Sequence, residues 1–120
     1  MLAGYETTST TLSYCTYVLA KYPDEQQKLY DEFSSFYSDE VVGPNADNVN
    51  KLEYLDLFIK EVLRLYPIGN TIIARRCTNP TTIKGIEVPL DMTIAADVLT
   101  IHNDPDLWGP TDPKTFYPQR

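Results

Sequence analysis

Histidine and cysteine are scarce in these 120 residues: there is one histidine, His102, and two cysteines, Cys15 and Cys77. Two cysteines cannot build a disulfide framework. Without Cys-x-x-Cys spacing, and with a single histidine, they cannot make a four-ligand metal site either. Each cysteine reads as a reduced, half-buried thiol and His102 as a structural hydrogen-bonding residue, so no residue is assigned as a metal ligand. Cations are also short, ten Lys and Arg against seventeen Asp and Glu for a net charge of −7. That excludes a nucleic-acid backbone binder, because phosphate contacts need clustered cations. No apolar run approaches the ~20 residues of a membrane span, and no basic region followed by an apolar one opens the chain. Neither an anchor nor a signal peptide is present as written.

What remains is an ordinary globular mixture, 42% hydrophobic and 22% charged, enough for one core without a staple. The charge is unevenly placed: nine acids against two bases lie between Asp24 and Asp56, and the rest of the chain is neutral. The acidic stretch reads as solvated surface. Directly after it, Lys60, Arg64, Arg75, Arg76 and Lys84 face only Glu61, and Arg75 and Arg76 lie among apolar residues. The first helical pattern begins at once with no capping residue, and the chain stops just past Pro118, so both ends read as cut from something longer.

The spacing of Leu12, Cys15, Val18, Leu19 and Tyr22 predicts a helix from Leu2 to about Tyr22, ended by Pro23. It carries Thr7, Thr8, Ser9, Thr10 and Thr11, poor residues for helix stability because branching restricts rotamers and hydroxyls compete for backbone groups. A second helix should start at Pro23-Asp24-Glu25, carry Leu29, Phe33 and Phe36, and break at Gly43-Pro44 and the polar stretch to Asn50. A third should run from about Lys51 to Tyr66 before Pro67. Short strands are expected at Thr71 to Ala74, Thr81 to Ile83, Ile86 to Val88 and Met92 to Ala96, with Lys84-Gly85 as a turn. Beyond Val98 the pattern gives a short helical turn at most, then a proline-punctuated loop. The fold class is mainly α with small β hairpins, α+β.

Singly, the chemical candidates are bland. Glu61 and Arg64 are three apart on the third helix, an ordinary pairing. On a helical wheel Arg64 joins Glu53, Asp56 and Lys60 on one polar strip with Glu61 at its edge, which reads as exposed surface. Glu6 beside Thr7 could be first-turn polarity and nothing more.

In order, they are different. Ala3-Gly4-Tyr5-Glu6-Thr7-Thr8, Glu61-Val62-Leu63-Arg64 ending Leu65-Tyr66-Pro67, Arg75, His102-Asn103-Asp104-Pro105 with Trp108, and Phe116-Tyr117-Pro118-Gln119-Arg120 closely resemble the cytochrome P-450 family of haem-thiolate monooxygenases. The resemblance covers essentially the whole chain, residues 1–120, and implies a partial cytochrome P-450 fold. It implies that the first helix crosses the distal face of the haem, with Glu6 and Thr7 as the acid-threonine pair that relays protons while water is kept out. Ala3 and Gly4 would let a ligand approach the backbone, and Thr7 could bond back to the Ala3 carbonyl and open the helix locally. Glu61, Arg64 and Arg120 would form a buried charge network behind the haem. Arg75 would meet a haem propionate, with Arg76 as its rival. The loop from Ile68 to Ala74 and the residues around Tyr5 would face substrate.

The sequence departs from the family pattern at Leu90 and Asp91, where a basic residue and a glycine are usual, and at Gln119, where an acid is commoner. The iron should be held by a cysteine thiolate in a Phe-x-x-Gly-x-Arg-x-Cys loop. Neither cysteine fits: Asn70 and Ile73 stand at the Phe and Gly positions before Cys77, and Thr8 and Thr11 before Cys15. Such a loop would come downstream of Arg120. The expectation is therefore a piece of a haem-dependent monooxygenase acting on an apolar organic substrate with dioxygen and electrons from a reductase, inactive in isolation. Its parent resembles animal microsomal members at the endoplasmic reticulum membrane. The rival is a non-catalytic helical protein from a truncated gene copy that uses its acidic 24 to 56 region to contact a basic partner. A hydrolase using one of the threonines lacks a base placed near it.

Overall fold

The computed structural model describes residues 2–38, 43–69 and 74–120. Helix α1 (Leu2–Lys21) is followed, with only Tyr22 between them, by α2 (Pro23–Tyr37), which has proline in its first turn and Asp24 and Glu25 at the positive end of its dipole. Helix α1 is α-helical throughout, so the local opening expected near Thr7 is not there. Its hydroxyls are accommodated by the helix itself. Thr11, Ser13 and Thr16 each donate to the carbonyl four residues back at 2.8 Å, those of Thr7, Ser9 and Leu12.

The segment read as a plain break contains a one-turn helix, α3 (Ala46–Val49). Asn45 caps it by accepting from Asp47 and Asn48, and the Asn48 side chain accepts the Asn45 N–H in return. Helix α4 (Glu53–Leu65) follows. Val18 from α1, Phe58 and Val62 from α4 and Phe116 from the C-terminal segment form the buried core, bordered by Cys15, Leu19, Tyr22, Leu29, Leu65 and Tyr66. The Phe116 ring lies 5.4 Å from both Tyr22 and Phe58, which ties the end of the chain onto the helices. Leu12 and Phe33, part of the apolar spacing of α1 and α2, are 62% and 43% exposed.

Among the described residues, four three-residue strands make two antiparallel pairs. β1 (Ala74–Arg76) pairs with β4 (Thr93–Ala95), and the hairpin of β2 (Thr81–Ile83) and β3 (Ile86–Val88) is inserted between them in sequence. The Lys84-Gly85 turn has φ of +48° and +84°, a two-residue turn of the kind that suits strand twist and calls for glycine. Asp91 also has a positive φ, +68°. It stands where the resembled family has glycine, and Asp is among the few side chains that tolerate that conformation. Of the strand expected at Thr71 to Ala74, residues 71–73 lie outside the described residues. Beyond Val98 there are two short helices rather than one turn at most. α5 (Val98–His102) is capped by Asp97 and α6 (Pro105–Trp108) by Asp104, with Pro105 at its start. The Thr100 hydroxyl and backbone N–H hold the Asp97 carboxyl below its ordinary range.

Among the described residues no strand packs against a helix. The radius of gyration is 19.0 Å, against about 14 Å for a compact 120-residue domain.

Candidate functional site

The expected site residues fall in three places. At the start of α1, residues 4 to 10 are all exposed, including Gly4, Glu6 and Thr7, and a Cβ placed on Gly4 would meet nothing within 4 Å. Ala3 lies on the same turn of the helix. Glu6 has no side-chain partner among the described residues, and its carbonyl accepts the Ser9 hydroxyl at 3.1 Å. The first two turns of α1 thus present an acid and a hydroxyl outward from a helix whose later turns form the core.

The second place is the C-terminal half of α4. Arg64 Nε donates to Glu61 Oε2 and Arg64 Nη2 to Glu61 Oε1, both at 2.7 Å, a bidentate fork. The two side chains are 3% and 5% exposed, whereas Lys60 and Asp56 on the same helix pair at 2.6 Å with 70% and 58% of their side chains exposed. The wheel therefore fails for Arg64. Its polar strip is divided, because the segment after α6 covers one side of it and leaves the other in solvent.

That covering segment is held by the network. Glu61 Oε1 accepts the backbone N–H of Tyr117 at 3.0 Å, and Arg120 Nε lies 3.5 Å from the same oxygen. Arg64 Nη2 donates to the Pro113 carbonyl at 2.7 Å. Arg120 donates to the carbonyls of Trp108, Thr111, Asp112 and Thr115, the last three at 3.0, 3.2 and 3.0 Å. The proline-punctuated loop is thus organised around one guanidinium. At its start a Cβ on Gly109 would come within 2.6 Å of the Pro105 carbonyl oxygen, a contact only glycine escapes.

The third place is β1. Arg75 and Arg76 are neighbours on a strand and so point to opposite faces. Arg76 pairs with Asp91 at 3.3 Å, while exposed Arg75 donates only to the neighbouring Ala74 carbonyl, at 2.9 Å, and has no carboxylate partner among the described residues. No hydrogen bond or ion pair joins Arg75 to Glu6, Glu61, Arg64 or Arg120.

These donors can be tested against a haem. An exposed guanidinium without a carboxylate partner fits a propionate. The two thiols do not fit as thiolate ligands. Burial raises the Cys15 pKa, disfavouring the anion, and the Cys77 thiol is turned towards backbone carbonyls, 2.9 Å from the Asn79 oxygen and 3.6 Å from that of Val88. Among the described residues no three His, Cys, Asp or Glu side chains could hold a metal ion together, and no helix is long and apolar enough to cross a membrane.

Two groups hold α4 from outside it: Glu32, which sequence reasoning missed, and His102, whose structural hydrogen-bonding role was expected without its partner. Glu32 of α2 accepts the backbone N–H groups of Tyr54 and Leu55 at 2.7 and 3.0 Å. His102 Nδ1 lies 2.9 Å from the Arg64 carbonyl oxygen, and Arg64 Nη1 returns a bond of 2.6 Å to the His102 carbonyl. No local signal announces either contact, because the partners are about 20 and 38 positions apart. The Tyr54 hydroxyl donates to Glu25, and its pKa is pushed up to about 12, first by burial and then by that carboxylate.

A family model described as Cytochrome P450 matches residues 1–120. The Caenorhabditis elegans relative CYP13A6 is 41% identical over 120 residues, covering 100% of this chain and 23% of the relative. Cytochrome P450 3A29 of Sus scrofa is likewise 41% identical over 120 residues, and cytochrome P450 3A41 of Mus musculus 40%, each with 100% of this chain and 23% of the relative covered. The chain thus spans about a quarter of the length of the curated relatives it matches.

Proposed function

The chain belongs to the cytochrome P450 family, and from that premise we propose that it is a segment of a haem-dependent monooxygenase that inserts one atom of dioxygen into an apolar organic substrate. One observation carries the reading: Glu6 and Thr7 stand side by side, exposed, on the opening turns of a helix that has open space at Gly4. The haem iron, when bound, supplies dioxygen activation with electrons from a reductase. The residues of this chain supply the surroundings. Thr7 Oγ1 holds a proton at the distal side, and the Glu6 carboxyl reloads it from solvent. Gly4 and Ala3 keep the helix surface low, so that ligand and substrate reach the backbone. Arg75 rather than Arg76 takes a propionate, because Arg76 is already engaged by Asp91. Glu61, Arg64 and Arg120 hold the segment that leads towards the proximal side, and the thiolate comes from outside these residues. The parent belongs at the endoplasmic reticulum membrane.

The acidic region gives less support to a separate interaction role. Glu32, Glu25, Asp31 and Asp56 are already engaged with Tyr54 and Leu55, Lys28, Gln27 and Lys60.

The test is made in the longer haem protein carrying this segment, by measuring product formed per dioxygen consumed and peroxide released. Thr7→Ala should lower the product ratio by roughly tenfold or more, within the range general acid catalysis supplies, with peroxide rising in its place. Thr7→Ser should keep most of the wild-type ratio. An unchanged ratio in Thr7→Ala would sink the assignment.

A further inference from the structure

Helix α4 has no side-chain cap of its own: its N-cap is Leu52 and its C-cap Tyr66. Both ends are completed from other elements, Glu32 at the first turn and His102 at the last. The C-terminal contact differs in kind because it is reciprocal. A carbonyl only accepts, so Nδ1 of His102 carries the hydrogen that meets the Arg64 oxygen, one of the carbonyls a helix end leaves unpaired. The guanidinium of the same arginine then reaches back to the His102 carbonyl. Backbone and side chain of Arg64 are both tied to one residue of α5.

The surroundings are equally committed. The Trp108 ring lies edge-on to His102 at 6.1 Å and under the Arg64 guanidinium at 5.2 Å, and its Nε1 donates to the Ile101 carbonyl at 2.9 Å. Four Arg64 contacts, two to Glu61, one to His102 and one to Pro113, fix the fork in a single orientation.

We propose that His102 is the positioning residue of the Glu61–Arg64–Arg120 network. By capping the Arg64 carbonyl it sets α5 against α4 so that the His102 carbonyl lies within reach of Nη1. With that arm of the fork fixed, the remaining N–H groups point at Glu61 and Pro113, and Glu61 in turn holds the Tyr117 N–H. The placement of residues 113–120 thus depends on an imidazole whose own hydrogen bond goes to Arg64. The functional consequence rests on the haem reading above, in which this segment leads to the proximal side.

The test compares His102→Asn with His102→Gln in the longer protein. The asparagine amide can place an N–H near the position of Nδ1, whereas the glutamine amide places it nearer that of Nε2. Two readouts are taken well below the unfolding transition: hydrogen exchange at the Tyr117 amide, and the fraction of carbon monoxide-bound ferrous protein with a thiolate-ligated spectrum. The Asn protein should match wild type in both. The Gln protein should exchange Tyr117 roughly tenfold faster, the scale of one lost hydrogen bond, and lose at least half of its thiolate-ligated fraction. Tyr117 exchange in the Gln protein equal to wild type, or tenfold faster exchange in the Asn protein, overturns the proposal. Where the Gln protein does not fold, the Asn result decides alone. A wild-type protein without any thiolate-ligated spectrum refutes the haem reading and leaves the exchange comparison to judge His102.

Discussion

Glu61 and Asp56 are carboxylates on one helix, and their different surroundings give them different energetic weight. Asp56 and Lys60 meet in solvent, where a pair contributes at most about 1 kcal/mol. Glu61 and Arg64 are out of water, and removing one partner strands the charge of the other. Glu61→Ala or Arg64→Ala should therefore lower unfolding stability by about 3–5 kcal/mol, and Lys60→Ala by less than about 1 kcal/mol, in urea titrations. Equal effects at the two positions would show that burial of the network does not govern its strength. Tyr54 gives a residue-scale prediction with a pH signature. Its folded pKa, pushed up to about 12 from the ordinary 10.0, means that the folded state holds the phenol proton more tightly than the unfolded chain. Its contribution is complete below the ordinary value and is lost as pH rises towards the folded one. Tyr54→Phe should flatten the alkaline fall in stability across that window, and an identical fall in both proteins would exclude Tyr54 as its source.

At the scale of elements, α4 shows why propensity and pattern carry a reading only so far. Its existence follows from its apolar spacing and from Pro67, yet its own N-cap residue, Leu52, offers no side-chain hydrogen bond. Glu32 bonds the Tyr54 and Leu55 N–H groups, the second and third of the helix, where an N-cap side chain would bond, and it adds negative charge at the positive end of the dipole. Glu32→Ala should cost about 1–2 kcal/mol and raise hydrogen exchange first at those two amides. A uniform rise along α4 would instead mean that the capping is not local. The helices α1, α2 and α4 and the Lys84-Gly85 hairpin were legible because their signals lie within a few residues. α5 is legible only as a short helical turn after Val98, and α3 and α6 not at all, although Asn45, Asp97 and Asp104 are ordinary capping residues, because Gly43-Pro44 and the prolines from Pro105 onward read as breaks. The exposed wheel position of Arg64 was wrong for a tertiary reason: Pro113 of the covering segment is 49 residues away, and no helical period contains it.

At the scale of the molecule, the surface is too large for the mass. The chain exposes 9030 Å², whereas a compact protein of 13.7 kDa exposes about 6,600 Å². The excess includes Tyr5, Leu12 and Tyr17 along α1 and Leu57, Ile59 and Leu63 on the outer side of α4. A helix apolar on two faces packs on two sides; among the described residues α4 packs against α1, α2 and α5 and leaves Ile59 and Leu63 partly exposed. The family resemblance was legible from ordered motifs because each motif is local, while the separation of the acid-threonine turn, Arg75 and the charge network is a property of the fold. That separation bears on what the 120 residues do with haem. Arg75 offers a propionate partner, but the Cys15 pKa is raised by burial and the Cys77 thiol is turned towards the Asn79 carbonyl. Iron-sulfur bonding of the family type needs a thiolate, so forming one here would require extracting Cys15 from the core border or breaking the Cys77 contacts. The purified chain, mixed with haem, reduced and exposed to carbon monoxide, should show no thiolate-ligated absorbance. A thiolate-ligated spectrum that persists in Cys15→Ser and disappears in Cys77→Ser would assign the ligand to Cys77 and overturn the view that the thiolate comes from outside these residues.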